Sequence, residues 1–135
     1  MRHNLLNLNL LVLCLLALTI GCGPRGPKMH AVSGTVTYNG QPLPEGDIIF
    51  APATPGEVED AGKVVNGKFA FQARAGDKKV KILASREEGS VDPQMGAAPR
   101  VQYIPAEYSS AEKTELTAEV SENGKNEFTF TLTGP

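Results

Sequence analysis

The sequence predicts an all-β fold, a single antiparallel β-sandwich of about seven strands, and three observations carry that expectation. Short runs alternate apolar and polar residues with the period of two that puts one face of a strand in a core and the other in water. Turn residues separate the runs, with Asn-Gly at 39–40, 66–67 and 123–124, and Asn-Gly between alternating runs is the strongest short hairpin signal. No stretch after the N-terminal segment sustains a helical period. Strands that bury only one face need a second sheet packed against them to make a core.

In chain order, Met1-Arg2-His3 is a short basic start, Leu10 to Ile20 is almost wholly apolar, and Gly21-Cys22 follows. Charge, then apolar run, then small residue is the pattern of a secretory signal peptide over residues 1–21. Asn4, Asn7 and Asn9 interrupt the run and leave it short of the ~18 unbroken apolar residues of a membrane span. Cys14 would leave with the signal, so the mature chain holds one cysteine, Cys22, unable to close an internal disulfide in an oxidising compartment. Such a cysteine reads as an anchor.

The junction resembles the lipobox of bacterial lipoproteins, in which a small residue precedes a cysteine that receives a diacylglyceryl group. Gly21 is the small residue and Cys22 the acceptor, while Thr19 stands where the lipobox usually has Leu, with Leu18 one step further out. The alternative is ordinary cleavage that leaves a free thiol. Two or more acyl chains give stable membrane attachment where one gives only marginal binding. By the same resemblance, Gly23 replaces the aspartate that marks retention on the inner membrane, which implies the outer membrane. Residues 22–30 form a tether built on Gly23-Pro24-Arg25-Gly26-Pro27-Lys28, with proline to extend it and glycine to let it swivel.

Residues 22–135 number 114 and carry fifteen acidic against twelve basic residues, a formal charge of −3. That length supports one domain, taken as residues 31–135. The acidic balance, with no basic patch among aromatics, argues against nucleic acid as a partner.

Val32, Gly34, Val36 and Tyr38 alternate with Ser33, Thr35, Thr37 and Asn39 as a first strand. Asn39-Gly40 turns it, Pro42 and Pro44 stiffen the connection, and Asp47-Ile48-Ile49-Phe50 is the second strand. Glu57-Val58-Glu59-Asp60 lies among Pro and Gly as an exposed loop. Gly62–Val65 and Lys68–Ala73 form a hairpin about Asn66-Gly67, with Phe69 and Phe71 on the core face. Lys79–Ser85 is the fifth strand, and Leu83 breaks its polar face as though packed under a loop. Arg86–Gln102 has no sustained period and reads as a long excursion from the sheet, of the kind that is usually functional or mobile. Tyr103-Ile104-Pro105-Ala106-Glu107-Tyr108 ends it as an edge segment or cover. Glu115–Val120 and Glu127–Leu132 alternate cleanly around Asn123-Gly124, a predicted C-terminal hairpin.

The segments V-S-G-T-V-T-Y-N-G-Q-P-L-P-E-G-D-I-I-F, G-K-V-V-N-G-K-F, Y-I-P-A-E-Y and N-E-F-T-F-T-L resemble the small planctomycete-type lipoproteins that carry a carboxypeptidase-regulatory-like, transthyretin-like domain. The resemblance covers nearly all of the mature chain. It implies a prealbumin-like sandwich on an exported, lipid-anchored protein, and it brings no catalytic residues. One departure is Ala75-Gly76-Asp77-Lys78-Lys79-Val80, where relatives tend to have Pro-Gly-x-Tyr before the strand. The ureide hydrolase that shares the transthyretin fold needs histidines and a Tyr-Arg-Gly-Ser-type ending, whereas this chain has one mature histidine, His30, placed in the tether, and ends Thr131-Leu132-Thr133-Gly134-Pro135.

Triads built on serine or cysteine fail for want of a histidine on the domain, and no metallopeptidase spacing is present. Glu57, Glu59 and Asp60 offer oxygens that calcium would accept, without an EF-hand pattern. Glu87 and Asp92 are a carboxylate pair for hydrolysis, set in a flexible stretch. No cofactor, metal site or catalytic residue is assigned. The expected function is a non-enzymatic interaction or structural module, held at the cell envelope through lipidated Cys22 and serving an envelope protein partner. The alternative is a carbohydrate-binding module whose surface includes Tyr103, Tyr108 and Arg100; the two tyrosines would serve as platforms for sugar rings or, equally, as lids over a sheet end.

Overall fold

The computed structural model describes residues 26–135; the expected signal peptide, Cys22 and the first part of the expected tether, up to Arg25, lie outside them. Ten strands follow in order: β1 Met29–Tyr38, β2 Gln41–Pro42, β3 Glu45–Pro52, β4 Asp60–Val65, β5 Lys68–Arg74, β6 Gly76–Leu83, β7 Ser85–Glu87, β8 Arg100–Gln102, β9 Thr117–Val120 and β10 Glu127–Leu132. Among the described residues there is no α-helix, and none long and apolar enough to cross a membrane. The fold is all-β. Seven of these strands form one continuous path, β10-β1-β5-β4-β3-β6-β9, with β2 against β1 and a separate β7–β8 pair.

Two tight turns set the path. Asn39 and Gly40 have φ of 49° and 80°, and Asn66 and Gly67 have 50° and 73°, the positive pair that a two-residue hairpin turn of matching twist requires. The second turn starts a hairpin that soon opens. β4 and β5 share only the pairs Val64–Phe69 and Val65–Lys68, while β4 pairs with β3, and β5 with β1, along their whole lengths. The sheet therefore curls into two facing layers, β10-β1-β5 and β4-β3-β6-β9. Asp60, almost wholly buried, ties the open end of the split: its carboxylate accepts the Arg74 backbone N–H at 2.9 Å and pairs with the Arg74 guanidinium. That satisfies a strand amide which has lost its neighbour, and it gives the buried charge its counterion.

The core lies between the layers. Phe50 on β3 is fully buried and sets its ring edge-on to Phe69 and Phe71 of β5 and Phe128 and Phe130 of β10, at centroid distances of 5.1–6.5 Å. Val32, Val36, Ile48, Val64, Val80, Ile82, Val120 and Leu132 complete it. Gly34 is the narrow point, because a Cβ there would stand 1.8 Å from the Phe128 carbonyl oxygen. Only glycine lets β1 lie this close to β10.

Three expectations are corrected. The sheet is not wholly antiparallel, since β1 and β10 pair in parallel from Ser33–Glu127 to Tyr38–Leu132. The C-terminal hairpin does not form: β9 pairs with β6 and β10 with β1, at opposite ends of the path. The connection crosses between layers, held by Asn126, whose side chain accepts the Ser121 N–H and donates to the Ser121 carbonyl. The excursion is partly ordered, with β7 paired to β8 and a further bridge between Asp92 and Ala97. Strand limits shift too: β1 starts at Met29, which puts His30 in the strand beside Ala73, and β6 starts at Gly76.

Candidate functional site

The β1 alternation carries Tyr38 to the mouth of the core at the last residue of the strand, where the ring is half-buried. The segment after β8 crosses the same mouth. Ile104 plugs it, and Tyr103 sets its ring edge-to-face with Tyr38 at a centroid distance of 6.0 Å. The Tyr38 hydroxyl donates a long bond, 3.5 Å, to the Tyr103 carbonyl. Pro42 and Pro44 stand opposite, so Tyr38, Tyr103 and the prolines wall a hollow of about 490 Å³, with Gln41, Glu45, Ser85 and Arg86 completing it. Small-molecule and peptide sites have this composition, apolar walls with a few polar groups.

Arg86 lies with its guanidinium carbon 5.4 Å from the centre of the Tyr103 ring, a cation–π contact. Burial raises the Tyr103 phenol pKa above its ordinary 10.0, Arg86 opposes the shift, and Tyr38 and Glu45 add to it. Tyr103 thus stays a neutral hydroxyl, able to donate and accept. Glu45 also borders a second hollow of about 370 Å³, lined by Asp47, Lys63, Leu83, Arg100 and Gln102. Leu83 is half-buried there and lines the hollow with Arg100 and Gln102.

The three residues singled out in the sequence take different positions. Tyr103 lines the aromatic hollow. Arg100 lines the second hollow and is tied to Ser85, donating from Nε to the hydroxyl at 3.2 Å and from Nη2 to the carbonyl at 3.1 Å. Tyr108 lies in a short 3-10 turn, Ala106–Ser109, and its hydroxyl donates to the Thr133 carbonyl at 3.3 Å and accepts the Thr133 N–H at 3.1 Å. It is a lid fastened to the end of β10. Tyr38, Pro42, Pro44, Glu45 and Arg86 join the site without having been singled out. The available signal was the clustering of Tyr38, Pro42 and Pro44 about one turn.

The acidic groups are distributed otherwise. Glu59 pairs with Lys81 at 2.8 Å and Asp60 with Arg74, while the Asp92 carboxylate accepts the Gln94 N–H within its own turn. Among the described residues no three His, Cys, Asp or Glu side chains stand together as a metal site would need.

No family model and no curated protein matches the chain. Among solved structures it is similar to a 9R-lipoxygenase from Cyanothece PCC8801, at 16% identity and a TM-score of 0.40, over 87% of this chain and 18% of that one. The chain therefore spans less than a fifth of the lipoxygenase, and a likeness that weak carries no argument about activity.

Proposed function

We propose that the chain is an exported lipoprotein, acylated at Cys22, whose carboxypeptidase-regulatory-like, transthyretin-like sandwich is a non-enzymatic binding module at the cell envelope, held on the outer membrane. The observation that carries this reading is the aromatic hollow at the end of β1. Met29 to Tyr38 spans nine residue steps, about 30 Å along a strand, and Cys22 precedes Met29 by seven residues, a reach of about 25 Å at most. Met29 stands at one pole and the hollow opens at the other, so a domain tethered through Cys22 is able to present the hollow away from the lipid. A binding module needs that arrangement, with its ligand end presented outward.

A protein partner is favoured over a glycan because of Arg86. A sugar stacks on an open ring face, and the guanidinium already lies over one face of Tyr103. The glycan reading keeps one supporting observation, the polar rim of Gln41, Glu45, Ser85 and Arg86 about two tyrosines.

In-cell crosslinking with mass spectrometry on tagged full-length protein, beside Cys22→Ala, tests the proposal. A protein crosslinked to the hollow only in the anchored form supports it. Co-purification of polysaccharide that Tyr103→Ala abolishes, with no crosslinked protein, supports the glycan alternative instead. An unchanged membrane fraction for Cys22→Ala defeats the anchor.

A further inference from the structure

The two ends of the sheet path differ. β9 is a four-residue strand, Thr117–Val120, which carries Glu119 and is flanked by Glu115 and Glu122, and shortness and charge are the usual protections of a sheet edge. β10 is six residues, Glu-Phe-Thr-Phe-Thr-Leu, with one charge and no proline. Such a strand, rich in aromatic and β-branched residues, is normally paired on both sides.

Backbone alternation fixes which groups face the open side. Ser33 N–H donates to the Asn126 carbonyl and Asn39 N–H to the Leu132 carbonyl. Within a strand the amide groups of successive residues point to opposite sides, so the even-numbered residues of β10 bond to β1. Glu127, Thr129 and Thr131 then turn both N–H and C=O outward, and among the described residues no strand pairs with them. The next odd position, Thr133, is where the Tyr108 hydroxyl takes both backbone groups. The edge is closed by a side chain at that one end and left open over residues 127–131.

We infer that the β10 edge accepts an extended segment of a partner protein as an added strand, over residues 127–131. Main-chain bonds to Glu127, Thr129 and Thr131 supply affinity, and side chains on alternate positions supply selection. On the inner side the segment lies beside Phe128, which is half-buried, so its inward positions are apolar. On the outer side it meets exposed Glu127, whose contact with Lys125 is loose at 3.5 Å with both side chains in solvent; a lysine or arginine opposite Glu127 replaces it. The partner is thus a five-residue alternating stretch with one basic position. A second copy is the weaker occupant. Antiparallel pairing of two β10 edges about Thr129 sets Thr131 opposite Glu127 and so offers that carboxylate no cation.

The test follows amide hydrogen exchange by NMR on full-length protein in detergent, with a synthetic peptide of sequence Lys-Val-Thr-Val-Thr-Val as probe. At about 1 mM peptide, exchange at Glu127, Thr129 and Thr131 slows by about tenfold or more, while Thr117 and Glu119 on β9 are unchanged. Thr129→Pro removes one outward N–H and no bond to β1, so it leaves the melting temperature within a few degrees and abolishes the protection. Should that variant unfold, the wild-type titration still decides. Absence of protection, or protection on β9 instead, overturns the inference. Protection of the β10 rim that depends on protein concentration without peptide means a second copy occupies the edge, and overturns the partner assignment.

Discussion

Phe50 is the residue through which the two layers meet, and replacing it measures how much of the fold depends on that meeting. Its side chain is fully buried and touches four rings on two strands of the opposite layer. Truncation to alanine removes the transfer energy of the ring and leaves a cavity, together about 3–5 kcal/mol. The upper part of that range applies because Phe69, Phe71, Phe128 and Phe130 sit on paired strands and cannot collapse inward without moving them. Phe50→Leu keeps most of the volume and loses the ring-edge contacts, for about 1–2 kcal/mol. The neighbour Ile49 points to the outer face opposite Ala61 and Lys81, so Ile49→Ala costs less than about 1 kcal/mol. Urea unfolding followed by far-UV circular dichroism gives all three values, and for a domain near this size each kcal/mol lowers Tm by about 4–8 °C. If Phe50→Ala and Ile49→Ala lose the same small amount, the layers do not pack through Phe50 and the account of the core is wrong.

Three further outcomes follow from single contacts. Gly34→Ala forces β1 and β10 apart, since the new Cβ would stand 1.8 Å from backbone oxygen; it lowers Tm severely, whereas Gly26→Ala, with nothing within 4 Å, leaves Tm unchanged in the same scan. Asp60→Ala strands the Arg74 N–H and its partly exposed guanidinium at about 2–3 kcal/mol, and Asp60→Asn, which retains an acceptor, costs less in the same urea experiment. Tyr103 releases its proton above the ordinary 10.0, chiefly because of burial. The folded state therefore holds a proton where the unfolded chain has lost it, so stability falls as pH rises from about 10 through the folded pKa; ultraviolet titration of Arg86→Ala shows that ionisation moving higher still, and a downward move would refute the assigned geometry.

The parts of the fold visible in the sequence are those decided locally. Asn39-Gly40 and Asn66-Gly67 each fix a turn from two residues, and the seven alternating runs all appear as strands on one path. Asn123-Gly124 carries the same dipeptide and makes no hairpin, because the choice there is not local. Alternation in β10 fits β9 as well as it fits β1, and the outcome turns on contacts remote in sequence: the missing Cβ of Gly34, the Phe128 and Phe130 rings on Phe50, and the Asn126 side chain that binds Ser121 in place of a turn. The site divides in the same way. Tyr103 was legible as an aromatic at the end of an excursion, but Tyr38 is in phase with the core, and only the strand ending there reveals it as a wall of the hollow. Tyr108 looked equivalent to Tyr103 in sequence and differs because its hydroxyl reaches Thr133.

The parallel β1–β10 pair gives the molecule a direction. Both strands run from the tether pole toward the hollow, and Tyr108 fastens the end of β10 within the segment that also supplies Tyr103. A strand added to β10 would lie along the axis that runs from Met29 to Tyr38 in β1, and its end beside Thr131 would lie toward the pole where the hollow opens. The hollow lies across β1 from that edge, on the β2 side, so the edge and the hollow are separate surfaces that share one pole. Loosening Tyr108 tests where the edge ends: Tyr108→Phe frees the Thr133 N–H and C=O, and so lengthens the exposed edge by one bonding residue toward that pole. Peptide protection in that variant extends to Thr133 while Glu127 is unaffected. Protection that instead disappears along the whole edge would mean that Tyr108 orders β10 rather than merely ending it.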